Sequence, residues 1–206
     1  MNRRDSLKTM SIALGYVVAT PTLFQLLSAC ENEKGNTWHP QFLSETQVLV
    51  VEQLVDIILP ASETLGGLDV EIPKFIDLIL SHVLPQIEQE NFKKGANAFH
   101  GKFESVFNKI VSKGIPDEFT TLLNTYFKIS TDKQARVFEL MQKDASSVSD
   151  PNSFYIYKYL ICIRHYALLG YYSSKQVGTE ILNYDPVPGV FEACVPVEDV
   201  GNVSSI

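Results

Sequence analysis

The chain is short of cysteine and of basic residues. It has three cysteines in 206 residues, which excludes a disulfide-stapled scaffold, because a chain of this length buries roughly 70% of its unfolded surface and needs no covalent staples. Lysine and arginine number 17 against 24 aspartates and glutamates, which gives a net charge of −7. Such an acidic protein is a poor ligand for nucleic acid or for anionic lipid headgroups. The sequence has no internal repeat and no low-complexity tract.

Recognisable catalytic and metal-binding motifs are also missing. The sequence has no G-x-S-x-G, no H-E-x-x-H, no dinucleotide fingerprint and no C-x-x-C-H. Its four histidines lie in separate segments, and none has a carboxylate or cysteine at metal-ligand spacing. We therefore predict no catalytic, cofactor-binding or metal site in this chain, and we interpret His165 as a satisfied core residue. The histidines are His39, His82, His100 and His165.

Residues 1–29 have the layout of an export signal. Arg3 and Arg4 precede a mildly apolar run over residues 11–27, which is diluted by glycine, proline and threonine and is a poor membrane span. The adjacent arginines resemble those of twin-arginine signals, whose transporter moves folded proteins. We predict a twin-arginine-type signal peptide over residues 1–29.

The end of this signal, Leu27-Ser28-Ala29-Cys30, resembles a bacterial lipobox. The small residues Ser28 and Ala29 let a peptidase approach the backbone, and the thiol of Cys30 takes the lipid. We predict lipidation at Cys30, a lipid-anchored tether over residues 30–43, and a position on the periplasmic side of a bacterial membrane. Whether that membrane is the inner or the outer one stays open. The alternative is a buried N-terminal helix that ends in a chance cysteine.

Residues 44–206 are predicted to form one all-α domain. Apolar residues recur at steps of three and four and predict a single bundle of about five to six helices. One apolar stripe runs from Phe92 to Ile110, in a helix that we expect to end at Gly114. The predicted helix starts are a capping box at Ser44 and Gln47, first-turn prolines Pro73 and Pro116, and a second capping box at Thr131 and Gln134.

The most apolar predicted helix covers residues 154–169. It is apolar nearly all round, which predicts a central place in the bundle, and Gly170 is its expected C-terminal stop. Cys162 on this helix is interpreted as a small buried hydrophobe and Cys194 as a free thiol, although a disulfide between them stays an alternative.

From residue 171 the helical period ends, and we predict a long irregular C-terminal coil. Aromatic residues on a proline-stiffened coil offer a large contact area at low ordering cost, so this coil either packs back over the bundle or lies along another protein. The predicted partner-interface residues are Tyr171, Tyr172, Tyr184, Pro186, Pro188, Gly189 and Phe191.

Three stretches together resemble the gluconate 2-dehydrogenase subunit 3 family. The first is DIILPASET from Asp56, followed by Gly66 and by IPKFID from Ile72. The second is GYYSS from Gly170, and the third is YDPVPG from Tyr184, with Phe191 and Cys194-Val195-Pro196 after it.

The resemblance implies a non-catalytic small (gamma) subunit of a membrane-associated, flavin-dependent dehydrogenase of the glucose-methanol-choline type. The large subunit would bind FAD and act on sugars or sugar acids, and a cytochrome c subunit is a further candidate partner. In such families the small subunit can carry the export signal for its partner. The alternative is a free-standing helical lipoprotein that is an interaction module or an enzyme of unrecognised type.

Overall fold

The computed structural model describes residues 38–182 together with Cys194 and Pro196. The predicted signal peptide, most of the tether and most of the C-terminal coil therefore lie outside the described residues. The folded body begins at Pro40.

The body is all-α, as predicted, and no strand occurs among the residues that the structure describes. It has seven α-helices there, against the five to six expected. They are α1 (Glu45–Ile58), α2 (Ile72–His82), α3 (Gln86–Phe107), α4 (Pro116–Phe127), α5 (Thr131–Met141), α6 (Pro151–Ser173) and α7 (Lys175–Glu180), with 3₁₀ turns at Val111–Lys113 and Ala145–Ser147.

Helix α6 is the centre of the bundle, as its composition predicts. It packs against α1, α2, α3, α5 and α7. Its buried Tyr159 lies between two rings of α3, with centroid distances of 4.8 Å to Phe92 and 5.7 Å to Phe99. Gly95 allows this close crossing, because a Cβ there would lie 2.4 Å from the carbonyl oxygen of Tyr155.

Two of the predicted helix starts differ in how they are capped. At α1 the predicted box is confirmed: the Ser44 hydroxyl accepts from the Gln47 amide at 3.3 Å, and the Gln47 side chain accepts from the Ser44 amide at 3.0 Å. The box predicted at Thr131 is wrong. The N-cap of α5 is Ser130, which makes no side-chain capping bond, and the Gln134 side chain donates to the Ile129 carbonyl.

Both predicted glycine stops are wrong. Helix α3 ends at Phe107 because Asn108 takes a left-handed conformation with φ of 54°, which leaves Ile110 beyond the helix and half exposed. Helix α6 continues through Gly170 to Ser173, and α7 follows over Lys175–Glu180, so the prediction that the irregular coil starts at residue 171 is wrong. A Cβ at Gly170 would lie 2.5 Å from the Phe75 ring, so this glycine serves helix packing and not helix termination.

The last residues of the predicted tether are fixed to the bundle. The Asp77 carboxylate on α2 is fully buried, and it accepts backbone hydrogen bonds from Gln41 at 2.8 Å, Phe42 at 3.0 Å and Leu43 at 2.9 Å. Residues 40–43 thus belong to the folded body. None of the helices described here is both long and apolar enough to cross a membrane.

Candidate subunit interface

One face of the central helix is left in solvent although its residues are apolar. On α6 the exposed fractions are 37% for Ile161, 45% for Leu169 and 44% for Tyr172. His165 lies on the same face and is exposed, so its interpretation as a core residue is wrong. These positions recur at helical spacing and form a stripe along α6.

This stripe is one wall of an open depression that we call the α4–α6 groove. It comprises two adjoining cavities of about 430 and 600 Å³, which share Phe127, Ile161 and Arg164. The first runs along α6, and the second reaches the end of α1 and helix α5. Its other lining residues include Val137, Phe138, His165, Leu168, Leu169 and Tyr172.

The lining of the α4–α6 groove differs from that of the other large surface cavities. Among the residues that the structure describes, no lysine, aspartate or glutamate lines it. Two other cavities of about 740 and 700 Å³ are lined by charged residues, with Lys102 and Asp150 in one and Glu88 and Lys158 in the other. Aromatic residues and arginine without lysine or acidic residues are the composition typical of the buried centre of a protein–protein interface.

Helix α5 forms the outer wall and is weakly packed. None of its residues is buried, and Phe138 is 69% exposed. The sequence predicts Val137, Phe138, Leu140 and Met141 as its inward-facing residues. Three of them are half-buried and Phe138 is exposed, and the main helix that α5 contacts is α6.

Arg164 lines both cavities and has no charged partner in the described part of the chain. Three salt bridges occur among residues 38–182, and Arg164 takes part in none of them. Its guanidinium is exposed at the meeting point of the two cavities.

The first two family-like stretches meet at one end of the bundle. The Tyr171 hydroxyl at the end of α6 donates to the Leu65 carbonyl at 2.6 Å, and Gly170 contacts Phe75. Within the loop before α2, the Gly66 amide donates to the Asp69 carboxylate at 2.7 Å. These residues hold the loop and the two helices together.

The sequence-predicted site residues fall into two groups. Tyr171 is 8% exposed, so most of its side chain packs against other residues of this chain. Tyr172 lines the α4–α6 groove. The others lie outside the described residues: Arg3, Arg4, Cys30, Tyr184, Pro186, Pro188, Gly189 and Phe191.

Burial shifts the pKa of two groups of the packed interior, of which Tyr126 also lines the groove. Burial raises the pKa of Tyr126 to about 12, and the neighbouring Tyr157 and Asp150 act in the same direction. Burial likewise raises the pKa of the Cys162 thiol to about 12, so this thiol is protonated and unreactive near neutral pH. Cys162 and Cys194 are both free. Within residues 38–182 no group of His, Cys, Asp and Glu could hold a metal ion.

Sequence reasoning missed most of the groove. The helical spacing predicts Phe138 as inward-facing, and the apolar character of residues 154–169 on nearly all sides predicts a buried helix, whereas Phe138, Ile161 and Leu169 are exposed. The signal in the sequence is the apolar residues on nearly every side of the helix at 154–169, which leave open whether all of its faces are covered within this chain.

Of three comparisons with known proteins, one identifies a family for the chain. Neither the curated proteins nor the solved structures contain a match to it. The family model for gluconate 2-dehydrogenase subunit 3 matches residues 45–189, more than two thirds of the chain, and spans every described helix. The chain therefore belongs to the gluconate 2-dehydrogenase subunit 3 family.

Proposed function

We propose that the chain is the small, non-catalytic subunit of a flavin-dependent dehydrogenase complex and that it escorts the large subunit across the membrane. The observation that carries the proposal is the family match over residues 45–189. The α4–α6 groove supports it, because its lining is of the kind that a stable subunit contact requires.

In this proposal the chemistry is in the partner. The large subunit is of the glucose-methanol-choline type, binds FAD and oxidises a sugar or sugar acid, and a cytochrome c subunit receives the electrons. The small subunit contributes its interaction surface, its twin-arginine-type signal with Arg3 and Arg4, and a lipid on Cys30 that holds the complex on the periplasmic side of the membrane.

The escort role depends on the order of folding and export. A transporter that moves folded proteins can carry a signal-less partner only if the two subunits bind before export. A docking surface on the folded bundle satisfies this requirement, because it exists as soon as the bundle has formed.

The direct test is purification of the full-length, affinity-tagged protein from membranes of its native host. We expect a large flavoprotein to be retained in a fixed molar ratio, detected by flavin fluorescence and by dehydrogenase activity with a dye as electron acceptor. If the tagged protein purifies without any flavoprotein, from the membranes and from the cytoplasm alike, the proposal is contradicted and the free-standing lipoprotein is favoured.

A further inference from the structure

We infer that the large flavoprotein subunit docks in the α4–α6 groove, through an apolar segment that carries a carboxylate for Arg164. This inference rests on the proposed function for the identity of the partner. The position of the docking site rests on the geometry and composition of the groove.

The first argument is the apolar surface that the groove exposes to water, because covering that surface would be favourable. Leu169, Tyr172 and Phe138 keep between 44% and 69% of their surface in water. Covering apolar surface contributes roughly 25 cal/mol per Å², and large aromatic and leucine side chains offer the most area. Because these residues line one continuous depression, a single partner segment can cover all three.

The second argument is the weak packing of α5. A helix of 11 residues is marginal by itself in water, and most helical stability in proteins comes from a buried apolar face. No residue of α5 is buried. A partner segment in the groove would contact Val137 and Phe138 and supply the missing side of this packing.

The third argument concerns charge. Arg164 projects into an otherwise uncharged groove and has no ion-pair partner among the described residues. Arginine is enriched in interface centres because its planar group binds a carboxylate through two parallel hydrogen bonds. A partner carboxylate at this point would fix the position of the segment along the groove.

Membership in a family of subunits favours the large subunit over other occupants. A subunit must present a surface to the rest of its complex, and on the described body the α4–α6 groove has a lining with the composition of an interface centre. A second copy of the chain and the chain's own residues after Leu182 are the competing occupants, and the test distinguishes them.

The test compares two leucines of similar exposure. Leu169 in the groove is 45% exposed and Leu49 on α1 is 49% exposed. We expect Leu169→Asp to reduce the flavoprotein retained by the full-length tagged protein by about tenfold or more, because the introduced carboxylate would lose its water in the contact and would compete with the partner's carboxylate for Arg164, which lines the same cavity. Leu49→Asp should retain it as the wild type does.

A second pair of variants, at two arginines, tests the docking site again in case the Leu169 variant fails to fold. Arg164→Glu should also reduce retention, whereas Arg136→Glu, an exposed arginine of α5 that does not line the groove, should not. Thermal unfolding of each variant confirms that the bundle is intact. If Leu169→Asp and Arg164→Glu both retain the flavoprotein normally, the groove is not the docking site and the proposed function stands.

A photoreactive residue at position 169 identifies the occupant. A cross-link to the flavoprotein supports the inference, and a cross-link to a second copy or to residues after Leu182 overturns it. If the wild type retains no flavoprotein, the proposed function fails and this inference fails with it.

Hydrogen exchange gives an independent readout, since the amides of α5 should exchange more slowly in the complex than in the free subunit.

Discussion

At the scale of single residues, Asp77 joins the start of the body to α2. Its buried carboxylate accepts three backbone amides, from Gln41, Phe42 and Leu43. Asp77→Ala would leave three amides without acceptors, so we expect the free energy of unfolding to fall by about 3 kcal/mol. Chemical denaturation of the mature domain measures this. Asp56→Ala on the exposed side of α1 is the control, and equal effects of the two changes would contradict the role of Asp77.

His100 on α3 makes stability depend on pH. Its Nε2 is buried without a hydrogen-bond partner among the described residues, and burial lowers its pKa below the ordinary value of 6.5, with Glu104 opposing the shift in part. The unfolded chain therefore binds the proton first as the pH falls, so stability is lost as pH drops below about 6.5.

We expect His100→Gln to remove this contribution, so that its free energy of unfolding falls less between about pH 7.5 and about pH 5.5 than that of the wild type. Urea denaturation at the two pH values makes the comparison. An unchanged pH dependence in the variant would show that other groups cause the acid sensitivity.

At the scale of helices, two glycines that both lie within helices are expected to respond in opposite ways to replacement by alanine. Gly170 in α6 meets the Phe75 ring of α2, whereas a Cβ at Gly101 in α3 would meet nothing within 4 Å. We expect Gly170→Ala to destabilise the body by about 1–3 kcal/mol through overpacking, and Gly101→Ala to stabilise it by up to about 1 kcal/mol. The melting temperatures of the two variants should move in opposite directions. A lower melting temperature for Gly101→Ala would contradict the open space around that position.

At the scale of the whole molecule, the export signal is expected to act on two proteins. Replacing Arg3 and Arg4 by lysine should leave both this chain and the large subunit in the cytoplasm, because the transporter recognises the arginine pair and the partner depends on this chain. Cell fractionation with dehydrogenase assays measures the distribution. Arg136→Lys on the surface is the control, and normal export of the large subunit in the double variant would contradict the escort role.

The lipid on Cys30 is expected to decide where the complex is held. Cys30→Ala should lose labelling with fatty acid and release the exported protein from the membrane, because an acidic body gains little from anionic headgroups. Metabolic labelling and washing of membranes test this. Cys162→Ala is the control, since this half-buried thiol lies on α6.

Sequence by itself determined the fold class, most helix starts and the central place of α6. These follow from local rules: the cap at Ser44 satisfies amides of its own first turn, and Pro73 and Pro116 fit a first turn whatever surrounds them. The family stretches are also local in sequence, and the family match agrees with them.

Only the tertiary structure decided which apolar residues are covered. Gly170 reads as a helix stop until Phe75 is placed against it, and only the fold brings the Leu65 carbonyl to the Tyr171 hydroxyl. Leu169 and Ala167 are both apolar positions of α6, yet Ala167 is buried and Leu169 is 45% exposed. Periodicity shows that a face is apolar, but whether the face is a core or a docking surface depends on which neighbours pack against it, and those neighbours are distant in sequence.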